Sequence, residues 1–232
     1  MKAVFTCGGT GGHINPALAV ARVLLERRPD SEILFVGAED GMEATLVPRE
    51  GFRLETLQIS SYMRSLKPSA IRHNVRAALS IRRALKKADR IIRDFQPDVI
   101  LGTGGYASYP MLHEGARLGI PTAVHESNAV PGLATKMVAD KVDRILVSFA
   151  DSRSAYRDPS RVIAVGMPVR EEFVFTRRAD ARRALGLDEK TPMIVSAWGS
   201  LGAREMNKKI AQFMKLECEQ DCWRHIHATG SF

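Results

Sequence analysis

The apolar run Lys2 to Phe5 leads through Thr6 and Cys7 into Gly8-Gly9-Thr10-Gly11-Gly12-His13-Ile14-Asn15-Pro16, four glycines within five positions and then a proline. Few folds can begin this way. A short apolar run that breaks into glycine reads as a buried strand and a tight turn, with Pro16 in the first turn of a helix. Glycine admits positive φ and lets bare backbone come within contact distance of a phosphate or a sugar, and the helix N-terminus adds partial positive charge. Anions are expected to collect at this turn.

The turn matches no standard nucleotide fingerprint. The dinucleotide pattern G-x-G-x-x-G fits at Gly9 and Gly11 but meets Ile14 at its third glycine, and no Gly-Lys-Ser/Thr follows as a P-loop requires. What remains is a glycine turn carrying Thr10 and His13 at a helix mouth. His13 is the one side chain there suited to exchange a proton near neutral pH, and a cap or packing role at the helix start is the alternative.

Further along, strand and helix signals alternate: a helix from Pro16 to Arg28, a strand at Glu32 to Val36, a helix at Met42 to Glu50 and a strand at Leu54 to Gln58. From Ser69 to Phe95 apolar residues recur every three or four positions, which predicts one long helix or two abutting ones. A second strand breaks into glycine at Val99 to Tyr106, a helix covers about Pro110 to Leu118, and the strand Thr122 to His125 ends in His125-Glu126-Ser127-Asn128. Strands at Arg144 to Ser148, Arg161 to Val165 and Met193 to Ala197 follow, the last running into a third glycine turn, 198–203. This alternation specifies an α/β chain with parallel sheets, whose ligands bind outside the carboxyl ends of the strands. The three polar clusters fall at such ends. A boundary is expected between Val162 and Arg170, with a second sheet starting afresh after it.

Composition narrows the functional classes. The chain has 232 residues, 45% of them hydrophobic, and three cysteines with no secretory signal, so a globular protein of a reducing compartment is expected. Its formal charge is +8, and the segment Arg64 to Arg93 alone holds ten cations against a single acid, Asp89. A solvated face, nucleic-acid binding and an anionic membrane surface are the three readings of that segment. Nucleic acid is disfavoured because the segment's helix carries no Tyr or Trp on which bases could stack. Cys218, Cys222, His225 and His227 match no usual zinc spacing, and no metal is expected there.

Taken in series, Gly8-Gly9-Thr10-Gly11-Gly12-His13, Leu46-Val47-Pro48, Gly104-Gly105-Tyr106 with Ser108 and Pro110, His125-Glu126-Ser127-Asn128, Pro131-Gly132 and Gly166-Met167-Pro168-Val169-Arg170 resemble the MurG family. The similarity runs in order from Met1 to about Gly230. Members of that family are peripheral membrane glycosyltransferases that add N-acetylglucosamine from UDP-GlcNAc to lipid I, giving lipid II for peptidoglycan. The resemblance implies a GT-B arrangement: a Rossmann-like N-terminal domain, 1–162, that binds acceptor and membrane, and a linker with the start of a second Rossmann-like, donor-binding domain, 163–232. It implies His13 as catalytic base and Thr10, Gly11, Gly12, Asn128, Arg170 and Ser200 as substrate-binding residues, with Gly104, Tyr106 and Glu126 at the acceptor cleft. Glu126 and His125 could equally be internal hydrogen-bonding partners.

Ile71, Arg72, Val75, Arg76, Leu79, Arg82 and Arg83 become the membrane-facing set, on the cytoplasmic face of the bacterial inner membrane. Partners are UDP-GlcNAc, lipid I and an anionic lipid surface, with no nucleic acid, no metal and no cofactor. Trp198, Leu201, Met167 and Ser127 depart from the family's usual residues. Donor-domain segments expected for uracil and ribose are absent before Phe232, so the chain is expected to be a fragment. Another UDP-sugar GT-B enzyme, such as a glycolipid glycosyltransferase or a UDP-GlcNAc 2-epimerase, and a non-catalytic membrane-binding module are the alternatives.

Overall fold

The computed structural model describes residues 1–60, 68–199, 202–220 and 223–230, with side chains at 68–76, 78, 79 and 220 outside the description. Two compact units divide the chain, Met1–Arg170 and Glu171–Phe232. The last strand of the first sheet, Val162–Ala164, pairs with its neighbour and belongs to the first unit.

The first unit is a seven-stranded parallel sheet in the order β3-β2-β1-β4-β5-β6-β7. Its strands are β1 (Lys2–Thr6), β2 (Glu32–Ala38), β3 (Arg53–Leu57), β4 (Val99–Gly102), β5 (Thr122–Glu126), β6 (Arg144–Val147) and β7 (Val162–Ala164). The connecting helices are α1 (Gly11–Arg27), α2 (Glu43–Arg49), α3 (Pro68–Phe95), α4 (Ser108–Arg117) and α5 (Leu133–Val138). Strand order reverses between β1 and β4, the switch point at which open α/β sheets bind ligands. The loops into α1 and α4 leave the sheet there.

Period-two alternation gives the central strands two buried faces. On one face Ala3, Phe5 and Phe35 pack under Ile14, Ala17, Leu18 and Ala21 of α1 and Val47 of α2. On the other, Val4, Leu34, Val36, Ile100 and Val124 pack under Ala84, Ala88, Ile91 and Ile92 of α3 and Met111 and Leu112 of α4. Asp89, the lone acid of the basic segment, binds Arg93 within α3 and Arg117 of α4, tying the two helices at the surface. No helix among the described residues is long and apolar enough to cross a membrane.

Helix α1 starts at Gly11 and not at Pro16, so the glycines themselves form its first turn. Thr10 is the extended N-cap, and its carbonyl accepts from the N–H groups of His13 (3.0 Å) and Ile14 (3.2 Å). Pro16 lies inside the helix, where it withholds the N–H that Gly12's carbonyl would otherwise accept. Helix α5 follows Pro131-Gly132, where no helix was expected.

The second unit contains α6 (Glu171–Phe175), α7 (Arg178–Ala184), β8 (Met193–Ala197), α8 (Arg204–Gln220) and β9 (Arg224–Ala228). Strands β8 and β9 pair in parallel, joined by α8 as a βαβ unit. A fresh parallel sheet after the boundary was expected; α8 and β9 were not read from the sequence.

Backbone meets backbone where the two glycine loops of the first unit cross. Gly105 has φ +80°, and a Cβ there would lie on the carbonyl oxygen of Gly8. Gly119, with φ +74°, has nothing within 4 Å of its Cβ position. Gly105→Ala is expected to cost about 2–5 kcal/mol, the left-handed strain plus overpacking, and Gly119→Ala about 1–2 kcal/mol, the strain alone. Urea unfolding of the two variants measures the difference, and equal losses would show that the loops can separate freely.

Candidate active site

Beneath the glycine turn sits a buried carboxylate. Glu43, fully buried on the first turn of α2, accepts the N–H of Ala38 (2.6 Å) with Oε1 and that of Gly9 (3.2 Å) with Oε2. Three glycines make room for it: a Cβ at Gly8 would stand 2.8 Å from Oε1, and those at Gly37 and Gly41 would overlap the side chain. Burial, and after it the Glu43 charge, raises the Cys7 thiol beyond the physiological range. Burial, then Glu43 and Asp40, also raises the Tyr106 phenol, so both stay protonated. Because Gly9's N–H is taken by Glu43, the donors left to the turn are those of Thr10, Gly11 and Gly12, which have no carbonyl one helical turn back.

His13 stands on the first turn of α1 and is fixed by the loop after β4. Its Nδ1 lies 3.1 Å from the carbonyl oxygen of Thr103, and the Thr103 hydroxyl donates to His13's own carbonyl at 2.6 Å. Gly104, with φ +96°, lets the ring in: a Cβ there would stand 2.8 Å from Nδ1. A carbonyl oxygen can only accept, so Nδ1 carries the hydrogen and the neutral ring keeps its lone pair on Nε2.

The ring lines a cleft of about 250 Å³ together with Gly104, Tyr106, Glu126 and Asn128, four of the residues singled out in the sequence. Much of the rest of the lining is apolar, from Ile59, Ile81, Tyr109, Leu133 and Met137. Thr10, Gly11 and Gly12 cap α1 beside His13 and are not among the cleft-lining residues. Arg170 closes the first unit, half-buried and likewise outside the cleft lining. Ser200 lies outside the described residues, as do the side chains of Ile71, Arg72, Val75, Arg76 and Leu79; Arg82 and Arg83 are exposed on α3.

At the end of β5 the polar residues divide their tasks. His125 is buried; its Nε2 donates to the carbonyl of Gly166 (3.0 Å), and burial lowers its pKa, so it stays neutral. Glu126 accepts from the backbone and side-chain nitrogens of Asn128 (3.0 and 2.8 Å) and from the N–H of Gly132 (2.9 Å) at the head of α5. Asn128 is itself exposed at the cleft. With Nδ2 held by Glu126, its Oδ1 is free to accept from a ligand hydroxyl. Both internal alternatives raised for His125 and Glu126 are therefore realised, and Glu126 borders the cleft as well.

Sequence reasoning passed over Glu43, Thr103 and the apolar wall. Three glycines bracketing one acid would have been the signal for Glu43, but the bracket closes only in three dimensions. Among the described residues no group of three or more His, Cys, Asp or Glu converges as a metal site.

Burial tends to raise the Glu126 carboxyl, but the hydrogen bonds from Thr135, Asn128 and Gly132 outweigh it and leave the pKa lowered. A depressed folded value means that the stabilisation is complete above the ordinary glutamate pKa, about 4.3, and is lost as pH falls through the folded value. Amide exchange at Asn128 and Gly132 is expected to quicken in acid below about pH 4. Glu126→Gln, which turns a donor toward donors, is expected to loosen the loop by about 1–3 kcal/mol at neutral pH and to abolish the acid step. Unchanged exchange in the variant would contradict the anchoring role.

Comparison with known proteins places the chain in a family. A family model described as the glycosyltransferase family 28 N-terminal domain matches residues 3–147. A UDP-N-acetylglucosamine–N-acetylmuramyl-(pentapeptide) pyrophosphoryl-undecaprenol N-acetylglucosamine transferase of Acetivibrio thermocellus is 39% identical over 230 residues, 99% of this chain and 61% of the relative. The chain thus spans about three fifths of that relative's length. Among solved structures, Acinetobacter baumannii MurG aligns over 100% of this chain and 68% of its own with TM-score 0.64 and 22% identity. A Neisseria meningitidis UDP-GlcNAc 2-epimerase covers 98% of this chain and 65% of its own with TM-score 0.61 and 13% identity. These two show the shared fold. With a family model covering well over half of its length, the chain belongs to glycosyltransferase family 28, and residues 3–147 form the N-terminal domain of that family.

Proposed function

We propose that the chain supplies the acceptor side of an inverting N-acetylglucosaminyltransferase that moves N-acetylglucosamine from UDP-GlcNAc to the C4 hydroxyl of the N-acetylmuramyl sugar of lipid I, forming lipid II for peptidoglycan. The names of the sequence relatives support the two substrates. The hydrogen bond from His13 Nδ1 to the Thr103 carbonyl carries the reading, because it leaves an imidazole lone pair in a cleft with an apolar wall.

In the proposed step Nε2 of His13 takes the proton of the acceptor hydroxyl as its oxygen attacks the anomeric carbon from the face opposite the diphosphate. The carbon–oxygen bond to the diphosphate breaks, and UDP leaves with the electron pair. General-base help of this kind is worth roughly 10² to 10⁴ in rate. Asn128 Oδ1, oriented by Glu126, accepts a sugar hydroxyl, while the N–H groups of Thr10, Gly11 and Gly12 and the Arg170 guanidinium steady developing negative charge. Ser200 is assigned to the donor loop on the family resemblance. In this reading 1–162 binds acceptor and membrane, 163–232 begins the donor side, and no cofactor takes part.

The basic face of α3 fits an anionic lipid surface. Arg82, Arg83, Lys86, Lys87 and Arg90 are all exposed along it, and each cation near such a surface adds about 1 kcal/mol. Together with Ile71, Arg72, Val75, Arg76 and Leu79 they make the proposed contact of a peripheral enzyme with the cytoplasmic face of the inner membrane.

The test is sugar transfer to lipid I in anionic vesicles, run in a protein that joins this chain to the remaining length of such a relative. His13→Ala is expected to lower kcat by roughly 10² to 10⁴ with KM for UDP-GlcNAc nearly unchanged. Arg82→Glu with Arg83→Glu is expected to raise KM for lipid I while kcat holds. A His13→Ala kcat within a few-fold of wild type would remove the base, and formation of a free 2-epimer of the sugar would point to the epimerase chemistry instead.

A further inference from the structure

Residues 165–170, which close the first unit, form neither strand nor helix. Val165, Met167 and Val169 are exposed, whereas the alternating residues Gly166, Pro168 and Arg170 are half-buried. The N–H of Val165 still donates to the carbonyl of Val147 in β6 (3.0 Å). One residue on, two side chains of the sheet converge on the Gly166 carbonyl oxygen: Nε2 of His125 at 3.0 Å and the Ser148 hydroxyl at 3.4 Å. These two side chains stand 3.3 Å from each other. Sheet register brings them together, because Glu126 pairs with Val147 across β5 and β6 and the N–H of Ser148 then donates to the Glu126 carbonyl (3.0 Å).

A carbonyl oxygen carries two lone pairs, and here the His125 Nε2–H fills one and the Ser148 hydroxyl hydrogen the other. His125 is 1% exposed, so water does not stand in for it at this bond. Its Nδ1 keeps a lone pair and has no hydrogen-bond partner among the described residues. The ring is therefore committed to a single bond, the one to Gly166. Successive side chains of a strand face opposite ways, so the end of β5 serves two sides of the sheet. Glu126 turns to the cleft and orients Asn128, while His125 turns away and holds the segment that ends in Arg170.

We infer that His125 is a positioning residue for the transfer: by holding the Gly166 carbonyl it sets the path of residues 166–170, and so the place from which the Arg170 guanidinium meets the diphosphate of the nucleotide sugar. His125 itself touches neither substrate. The inference rests on the reading of Arg170 as a phosphate contact. Four residues separate the held carbonyl from Arg170, and each residue of extended chain spans about 3.3–3.6 Å, so a freed segment can carry the guanidinium well out of reach of a phosphate oxygen. The diphosphate is already charged in the donor, so a misplaced Arg170 weakens donor binding and leaves acceptor binding alone.

The test uses a protein that joins this chain to the remaining length of a relative. His125→Phe is expected to raise KM for UDP-GlcNAc by about threefold to tenfold, the weight of one hydrogen bond, with KM for lipid I nearly unchanged. His125→Gln, whose amide N–H can take the donor's place, is expected to restore most of the loss. In the same variants, amide exchange of Val165 is expected to quicken severalfold with Phe and to return with Gln. If His125→Phe does not fold, Ser148→Ala replaces it, and is expected to raise KM for UDP-GlcNAc by about twofold or more. Arg170→Ala tests the underlying reading and is expected to raise the same KM at least as far as His125→Phe does. A rise with Arg170→Ala and none with His125→Phe, or with Ser148→Ala in its place, overturns the positioning role and leaves the Arg170 reading standing. Equal rises in both KM values, or a fall in kcat alone, also overturn it, since a merely structural loss would act that way. No rise with Arg170→Ala removes the phosphate contact and the inference with it.

Discussion

Everything at the cleft depends on two bare backbones touching. The turn after β1 and the turn after β4 cross at Gly8 and Gly105, where the carbonyl of one occupies the place of a side chain on the other. That contact is possible only without Cβ atoms and with φ positive at Gly105. It draws together the two loops at the sheet's switch point, and so brings the first turn of α1 against Thr103 and Gly104. Glu43 completes the joint from below, since its carboxylate ties Gly9 to the end of β2. A buried carboxylate accepting backbone N–H groups is strongly bonded, and losing either partner leaves the other desolvated.

The site's chemistry follows from which polar groups this joint consumes. Thr103 takes one nitrogen of His13, and the other keeps its lone pair. Glu126 takes one end of the Asn128 side chain and leaves the other toward the cleft. His125 is turned inward onto Gly166, where it binds the segment leading to Arg170 and stays neutral. In each case a buried neighbour with one hydrogen-bonding sense decides what its partner can offer a ligand. Apolar side chains of Ile81, Tyr109, Leu133 and Met137 line the same cleft, and polar contacts strengthen where the surroundings are less polar than water.

Much of the first unit was legible because its signals are local. Glycines following short apolar runs marked the ends of β1 and β4, and regular apolar spacing marked α3. The start of α1 was misplaced because Pro16 is a strong local signal, while glycines at 11 and 12 are poor helix formers held helical by the packing of Ile14 and Ala17. Helix α5 has six residues, too few to show a period. Strand β9 hid for another reason: its inward positions are His225 and His227 while Ile226 faces out at 45% exposure, the reverse of the usual alternation. Site residues divided in the same way. His13 and Asn128 stand beside turn signals, whereas Glu43 and Thr103 act through partners distant in the chain, and a bond such as Thr103 to His13 leaves no trace in spacing.

The central claim is that the joint of the two glycine turns fixes His13 with its hydrogen on Nδ1 and its lone pair on Nε2. Nitrogen NMR of the histidine rings, assigned through His13→Gln, measures this directly in the neutral ring. The account predicts a protonated Nδ1 and an unprotonated Nε2 for His13, and a shift toward a mixture of tautomers when Gly105→Ala forces the loops apart. A hydrogen on Nε2 in the wild-type protein would mean that the ring cannot act as the base from that position, and would contradict it.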